Sequence, residues 1–407
     1  MPGLAIAGRL RVNVRLLANE PSIMLAGLWL STVGMFALLV RLIVSLPAAG
    51  WRAVPRRMLI LLPGWCAFVA LNLLHWVGFF LDELLFRGYR RLKVARPVFI
   101  LGIPRSGTTH LQRVLAADEG FTTLTLWEAI LAPSITERYF WSGVGRLFGT
   151  LGIGGAAAKN RLTSRMDAIH ELGLLEPEED FLLLLWVEAC FLTVVACPAS
   201  EHYWRLVRFD QAVPENRRRS IMNFYRRCLQ KHLYFHGNRE GAEGVRLLSK
   251  NPTFTSMMSS LEETFPDASF VGCTRTPKET VPSQLSSLQP ALELLGDNAS
   301  RPAFRDRMVQ VLKAYYDCLD APPVAVLAVP MMRLRSDLVS TVSEIMDTIA
   351  QEPTAAFSER LAALAAEGRQ YQSGHHYRAA DFDLDEADLK ATFRSAWQDP
   401  SQDQASS

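Results

Sequence analysis

Residues 97–117 read PVFILGIPRSGTTHLQRVLAA, and this stretch decides the fold. Val98 to Leu101 form a short apolar run suited to a strand buried on both faces. Gly102 and Gly107 bound a tight loop, and a helix is expected from Thr108 or Thr109. Strand, loop and helix in that order aim successive backbone N–H groups and the positive end of a helix at one point. The guest suited to that point is an anion, most often phosphate.

The spacing is nearly that of a Walker A loop: Gly102, four residues, Gly107, then two hydroxyl residues. Thr108 stands where a nucleotide triphosphatase keeps its lysine, and Arg105 supplies positive charge from inside the loop instead. A kinase-like phosphotransferase on this loop would need that lysine or an acidic, metal-binding strand end. The sequence offers neither. The phosphate cradle itself survives, with Arg105, Ser106, Thr108 and Thr109 around it.

Downstream, strands and helices alternate. A short β-rich piece, Phe121 to Leu126, ends at Trp127-Glu128, and residues 129–240 are mainly helical, interrupted between Gly143 and Gly155. Glu178 to Phe191 is expected to be a helix with an apolar middle, and Pro214 to Phe235 an amphipathic one. Further strands are expected at Arg246–Ser249, Ser269–Cys273 and Val324–Val329, with helices between and after them. Buried strands separated by helices imply a parallel α/β sheet with crossovers. Ligands in such sheets sit at the carboxyl ends of the strands, where the loop, Glu128, Lys250 and Arg275 fall.

Upstream lie two apolar stretches. Ile23 to Val40 and Met58 to Leu81 carry no charge, and each approaches the length needed to cross a bilayer. Arginines flank every end, so the positive-inside rule cannot place a two-span hairpin. Membrane association is expected, either as a hairpin, as one span with an interfacial helix, or as a shallow re-entrant pair. The expected organisation is a hydrophobic helical anchor over 1–86, an α/β domain over 87–385 with 129–240 as a helical insert, and a polar tail over 386–407. A chain of 407 residues that is 49% hydrophobic with net charge +2 is neither disordered nor a nucleic-acid-binding tail. Its six cysteines show no metal spacing, and no metal is expected.

GIPRSGTTHLQRVL, LLSKNP and FPDASFVGCTRTPKETVPSQLSSL together resemble the sulfotransferase family, in the order of the bacterial-type branch that is also similar to tyrosyl-protein sulfotransferases. LDELLFRGYRRLKVARPVFI and SGHHYRAADFDL resemble that branch as well, so the likeness covers roughly Leu81 to Leu384. The resemblance implies a P-loop-like α/β fold and PAPS (3′-phosphoadenosine 5′-phosphosulfate) as donor of a sulfuryl group to a hydroxyl.

Carried over by position, Arg105, Ser106, Gly107, Thr108 and Thr109 would hold the phosphosulfate, and Arg275 with Ser283 the ribose 3′-phosphate. Thr276 departs from the family's usual aspartate. The acceptor's base is expected to be Glu128, with His170 of MDAIHELGLLEPEED as its rival. Lys250 would support the donor site or transition-state charge, and Tyr377, beside His375 and His376, would close over the nucleotide. Trp141, Phe181, Trp186 and Trp204 in the insert favour a lipophilic acceptor. The catalytic domain is expected on the cytoplasmic side of a membrane, or in the Golgi lumen of a eukaryote. A membrane-anchored binding protein without turnover is the competing reading.

Overall fold

The computed structural model describes residues 20–150, 176–237, 244–370 and 378–397. Five parallel strands form its sheet: β1 (Val98–Gly102), β2 (Phe121–Thr122), β3 (Arg246–Lys250), β4 (Ser269–Thr274) and β5 (Val326–Pro330). Their spatial order is β2-β3-β1-β4-β5. β1 therefore lies in the middle, with Ile100 beside Lys250 of β3 and Gly102 beside Cys273 of β4. The chain leaves β1 towards one edge and returns to its other side through β4, so the switch point opens above β1.

β1 shows why the sheet is covered on both faces. Val98 and Ile100 point into one apolar layer, with Leu111, Val342 and Ile345, while Phe99 and Leu101 point into the other, with Phe254 and Phe270. The alternation is the period-two geometry of a strand, and all five residues are buried. The first layer is closed by α3 (Thr108–Leu115) and by later helices over Leu338–Thr348 and Ala355–Gln370.

The insert adds a short α4 (Leu126–Ile130), α5 (Ile135–Thr150) and a long α6 (Glu215–Gly237). The expected α-helix over Glu178–Phe191 is replaced by a 3₁₀ helix, Asp180–Val187, which stops at Glu188 in the left-handed region (φ 57°). Phe181, Leu183, Leu184, Trp186 and Val187 are all buried, so there is no single apolar stripe for an α-helix to present. The tighter winding lets two buried acids find partners: Asp180 accepts from Tyr225 and Ser249, and Glu188 from Arg41 and Tyr203.

The apolar stretches form α1 (Glu20–Ser45) and α2 (Val54–Leu85), each long and apolar enough to cross a membrane. They pack on the catalytic domain and do not stand apart from it. Phe79 stacks edge-on against Phe224 of α6, and buried Asp82 binds Lys231 of α6 at 2.8 Å. Two further helices that matter below are α7 (Pro277–Leu294) and α8 (Pro302–Asp320).

Candidate active site

The loop after β1 is fixed by close backbone approach. A Cβ on Gly102 would lie 2.1 Å from the Cys273 carbonyl oxygen of the neighbouring strand, so only glycine fits. Thr255 clamps the same residue, accepting from its N–H and donating to its carbonyl, each at 2.9 Å. Gly107 takes φ 90° to turn the chain into α3. Ser106 is buried and donates to the carbonyls of Ile103 and Cys273, so its hydroxyl braces the loop and does not face the cavity. Arg105 sits at the tip with φ 67°, a conformation costly for a residue with a side chain.

Arg105, Ser283 and Arg275 lie side by side. Arg105 Nε donates to Ser283 Oγ at 3.1 Å, and Arg275 Nη1 donates to the Arg105 carbonyl at 3.2 Å. Glu279, one turn along α7, pairs with Arg275 at 2.9 Å. Its carboxylate is thereby held below its ordinary pKa, by the Arg275 hydrogen bond first of all. These groups line one end of a cavity of about 880 Å³, together with Gly107, Thr108 and Thr109.

The other end is apolar. Phe181, Phe191, Val194 and Val195 come from the insert, Leu288 from α7, and Met308, Val311 and Leu312 from α8. Between the two ends stand three polar groups that sequence reasoning missed. Glu179 lines the cavity and takes a 3.0 Å hydrogen bond from Lys250, which lies buried behind it. Burial raises the Glu179 pKa, and the Lys250 ammonium works against that rise. Tyr315 is almost wholly buried, and its hydroxyl finds no hydrogen-bond partner among the described residues. Asn251 uses Oδ1 to cap the Thr253 N–H at 2.8 Å, while its buried Nδ2 is left without a partner among the described residues. These two buried polar atoms on one cavity wall are free to bond a ligand.

Glu128 sits elsewhere. Its Oε2 accepts from the N–H and hydroxyl of Thr125, closing a capping box at the start of α4. Its Oε1 lies 2.6 Å from His236 Nε2 and 3.4 Å from buried Arg138, and it is not part of the cavity wall. Burial alone would raise its pKa, but Arg138, His232 and His236 outweigh that and hold it well below the carboxylate range. Glu128, His232 and His236 bring three metal-ligand atoms within 4.8 Å of one another. The Arg138 guanidinium lies beside them, 3.3 Å from His232 Nδ1 and 3.4 Å from Glu128 Oε1. His170 and Tyr377, like His375 and His376, fall outside the described residues.

Asn251 could have been found, since it stands inside the Lys250-Asn251-Pro252 turn at the end of β3. Glu179 was hidden in an acidic run that looks like a helix start. Tyr315 gives no local signal at all.

A family described as "Sulfotransferase family" matches residues 97–355. Among curated proteins, two similar relatives are named omega-hydroxy-beta-dihydromenaquinone-9 sulfotransferase Stf3, from Mycobacterium bovis and Mycobacterium tuberculosis. Each is 26% identical over 228 residues, which is 54% of this chain and 52% of the relative. The chain thus aligns with about half the length of those relatives. Among solved structures, the sulfotransferase STF9 from Mycobacterium avium matches with TM-score 0.59 at 18% identity, covering 78% of this chain and 80% of that one. STF1 from M. tuberculosis matches with TM-score 0.57 at 19% identity, covering 79% and 82%. At such identities the likeness is one of fold.

Proposed function

The chain belongs to the sulfotransferase family, and from that premise we propose that it transfers a sulfuryl group from PAPS to the hydroxyl of a lipophilic acceptor. The observation that carries the reading is the polarity of one cavity. Its wall combines an arginine-lined anion cradle, Glu179 and Tyr315, and a set of apolar side chains.

The residues present fit the donor. Arg275 and Ser283 can share one phosphate, the arginine through charge-assisted bonds, with Glu279 as its resting partner. Arg105, the Thr108 and Thr109 hydroxyls and the N-terminus of α3 face the second anionic group. Asn251 Nδ2 supplies a neutral donor on the same wall. When bound, the donor supplies an activated sulfuryl group and a leaving phosphate.

Transfer makes one acceptor O–S bond and breaks the S–O bond to that phosphate, releasing adenosine 3′,5′-bisphosphate. The acceptor's proton must go to a base, and of the two carboxylates on the cavity wall Glu279 is taken up by Arg275, which leaves Glu179 for that role. Burial raises its pKa and so strengthens it as a base, while the Lys250 ammonium beside it works against that rise. Tyr315 can steer the acceptor oxygen with its open hydroxyl. Glu128, expected as the base, serves α4 and Arg138 here, where its low pKa makes it a poor proton acceptor.

The lipophilic acceptor rests on the apolar chamber and on the relatives named for a hydroxylated menaquinone. The test is transfer from sulfur-35 PAPS by the full-length protein to long-chain alcohols, ω-hydroxylated prenylquinols, sugars and a tyrosyl peptide. Label should pass to the lipophilic alcohols. Label on the sugar or peptide alone would overturn the acceptor class, and transfer of phosphate from ATP would overturn the donor.

A further inference from the structure

We propose that the outer face of α1 and α2 is a monotopic membrane-binding surface, seated in the plane of a lipid leaflet without crossing it. By length alone both helices could span. At 32 residues α2 is about 48 Å long, against roughly 30 Å of hydrocarbon. What decides the matter is where its ends are tied.

Its first end is held by the catalytic domain. Buried Arg57 donates to the Ala196 carbonyl at 2.8 Å, Arg301 donates to the Ala49 carbonyl at 2.8 Å, and Ala53 packs against Gly296. Its last turn is held by the same domain. Asp82 accepts from Lys231 and from the N–H groups of Ile135 and Thr136 that open α5. Midway, Phe68 stacks on Trp186, and further along His75 meets Glu137 at 2.5 Å. A helix fastened to one water-facing domain at both ends and the middle cannot carry its far end across a bilayer. Its companion α1 is bound likewise, by Arg41 to Glu188 at 2.8 Å and by the Ser31–Asn72 bond between the two helices.

Ser31, Asn72, His75 and Asp82 along the helices turn inward, and between the basic ends the outer face is left apolar. Trp29, Phe36, Trp51, Leu59, Phe80 and Leu85 each expose more than half their surface. A continuous face of this size needs a cover. Charge selects lipid as the cover. Exposed Arg52 and Arg56 stand at one end of α2 and Arg87 and Arg91 at the other, where they meet anionic headgroups while the apolar side chains enter the leaflet. The strand of chain that anchors α1 and α2 also walls the cavity. Glu188 and Ala196 bind the hairpin, and Phe191, Val194 and Val195 between them line the apolar chamber. A membrane-borne acceptor then has its store beside the chamber that takes it, a link that rests on the acceptor class proposed above.

Two measurements test this on the full-length chain. In sealed membrane vesicles, Arg52→Cys and Arg91→Cys, each in a Cys66→Ser background, are treated with a membrane-impermeant maleimide before and after lysis. In-plane seating predicts that both positions react together, at the same stage. Reaction of one before lysis and the other only after it would mean that the hairpin crosses, and would overturn the proposal. In flotation, the protein should rise with anionic phospholipid vesicles, and Phe36→Glu/Leu59→Glu should cut the floated fraction about tenfold with binding of adenosine bisphosphate unchanged. A wild-type protein that stays unfloated and dimeric would instead make this face a contact between copies. Neither flotation result depends on which acceptor is sulfated.

Discussion

The two ends of the cavity are built in opposite ways. The donor end comes from one contiguous turn, Gly102 to Thr109, plus Arg275 and Ser283 eight residues apart on a single strand–helix unit. The acceptor end is gathered from four separate segments, and the polar groups between the ends come from three. An anion shared by every member of a family can be held by a short motif, because backbone N–H groups and a helix end do most of the holding. A variable acceptor needs side chains that can change one by one without disturbing the sheet. Damage at the donor end should therefore show as lost nucleotide affinity, and damage at the other end as lost turnover or acceptor affinity.

The largest effect should follow Glu179→Gln. Turnover is expected to fall by roughly 10²–10⁴ while affinity for adenosine bisphosphate changes by no more than about threefold. Glu128→Gln should do the reverse: folded enzyme stays active, but the buried Arg138 loses its partner and stability drops by up to about 3 kcal/mol. Rapid-quench turnover and thermal melts on both variants decide it. Activity that vanishes with Glu128 and survives the loss of Glu179 would return the base to the capping box.

Next in size, Arg275→Ala should weaken adenosine bisphosphate about tenfold to a hundredfold, the range of a lost charge-assisted bond of about 1.5–3 kcal/mol. ATP, which has no 3′-phosphate, should bind poorly to both proteins. Calorimetry that finds the variant unchanged would break the donor half of the comparison. Smaller again, Val195→Trp narrows the apolar chamber and should raise KM for a long-chain acceptor about fivefold to tenfold with the donor's Kd unmoved. Equal loss for short and long acceptors would mean that the chain lies elsewhere.

The smallest effect concerns Asp180, next in sequence to Glu179. Burial pushes its pKa up to about 7, against about 3.9 in the unfolded chain. Between those values the folded state holds a proton that the unfolded state has lost, so Asp180 makes stability fall as pH rises from about 4 to 7 and adds no slope above that. The slope is at most about 1.4 kcal/mol per pH unit. Asp180→Asn should flatten that part of the curve. Melting curves of wild type and variant that stay parallel from pH 5 to 7.5 would show that Asp180 is ionised throughout.

Much of this architecture was legible because it is local. The alternation in β1, the two loop glycines and the Arg275–Ser283 spacing are each set by neighbours in sequence, and the sheet follows from them. Glu128 shows the limit. Its place after β2 suggested the right edge of the sheet, but strand order does not say which way a side chain turns. The Thr125-x-x-Glu128 spacing carried the competing signal of a helix cap. Tyr315 and Glu179, 136 residues apart, line one cavity because α8 packs against the 3₁₀ turn that follows β3, a placement no local pattern encodes. The hairpin's fastening is non-local in the same way. Hydropathy marks α1 and α2 as long and apolar enough to span, and it does not show that His75 and Asp82, set in a long apolar run, hold α2 to the domain.

That fastening makes the hairpin a structural layer of the enzyme. Deleting the residues before Arg87 would strand the Lys231 ammonium in the core and bare Phe224, so the remainder would not be a soluble enzyme freed from an anchor. A leaflet that binds the outer face of the assembled hairpin binds the folded state alone. By linkage it then behaves as a stabilising ligand, worth about 2.7 kcal/mol at a hundred times its half-saturating concentration. Lipid composition becomes a term in the folding equilibrium, and melting temperature should climb as vesicles are titrated in.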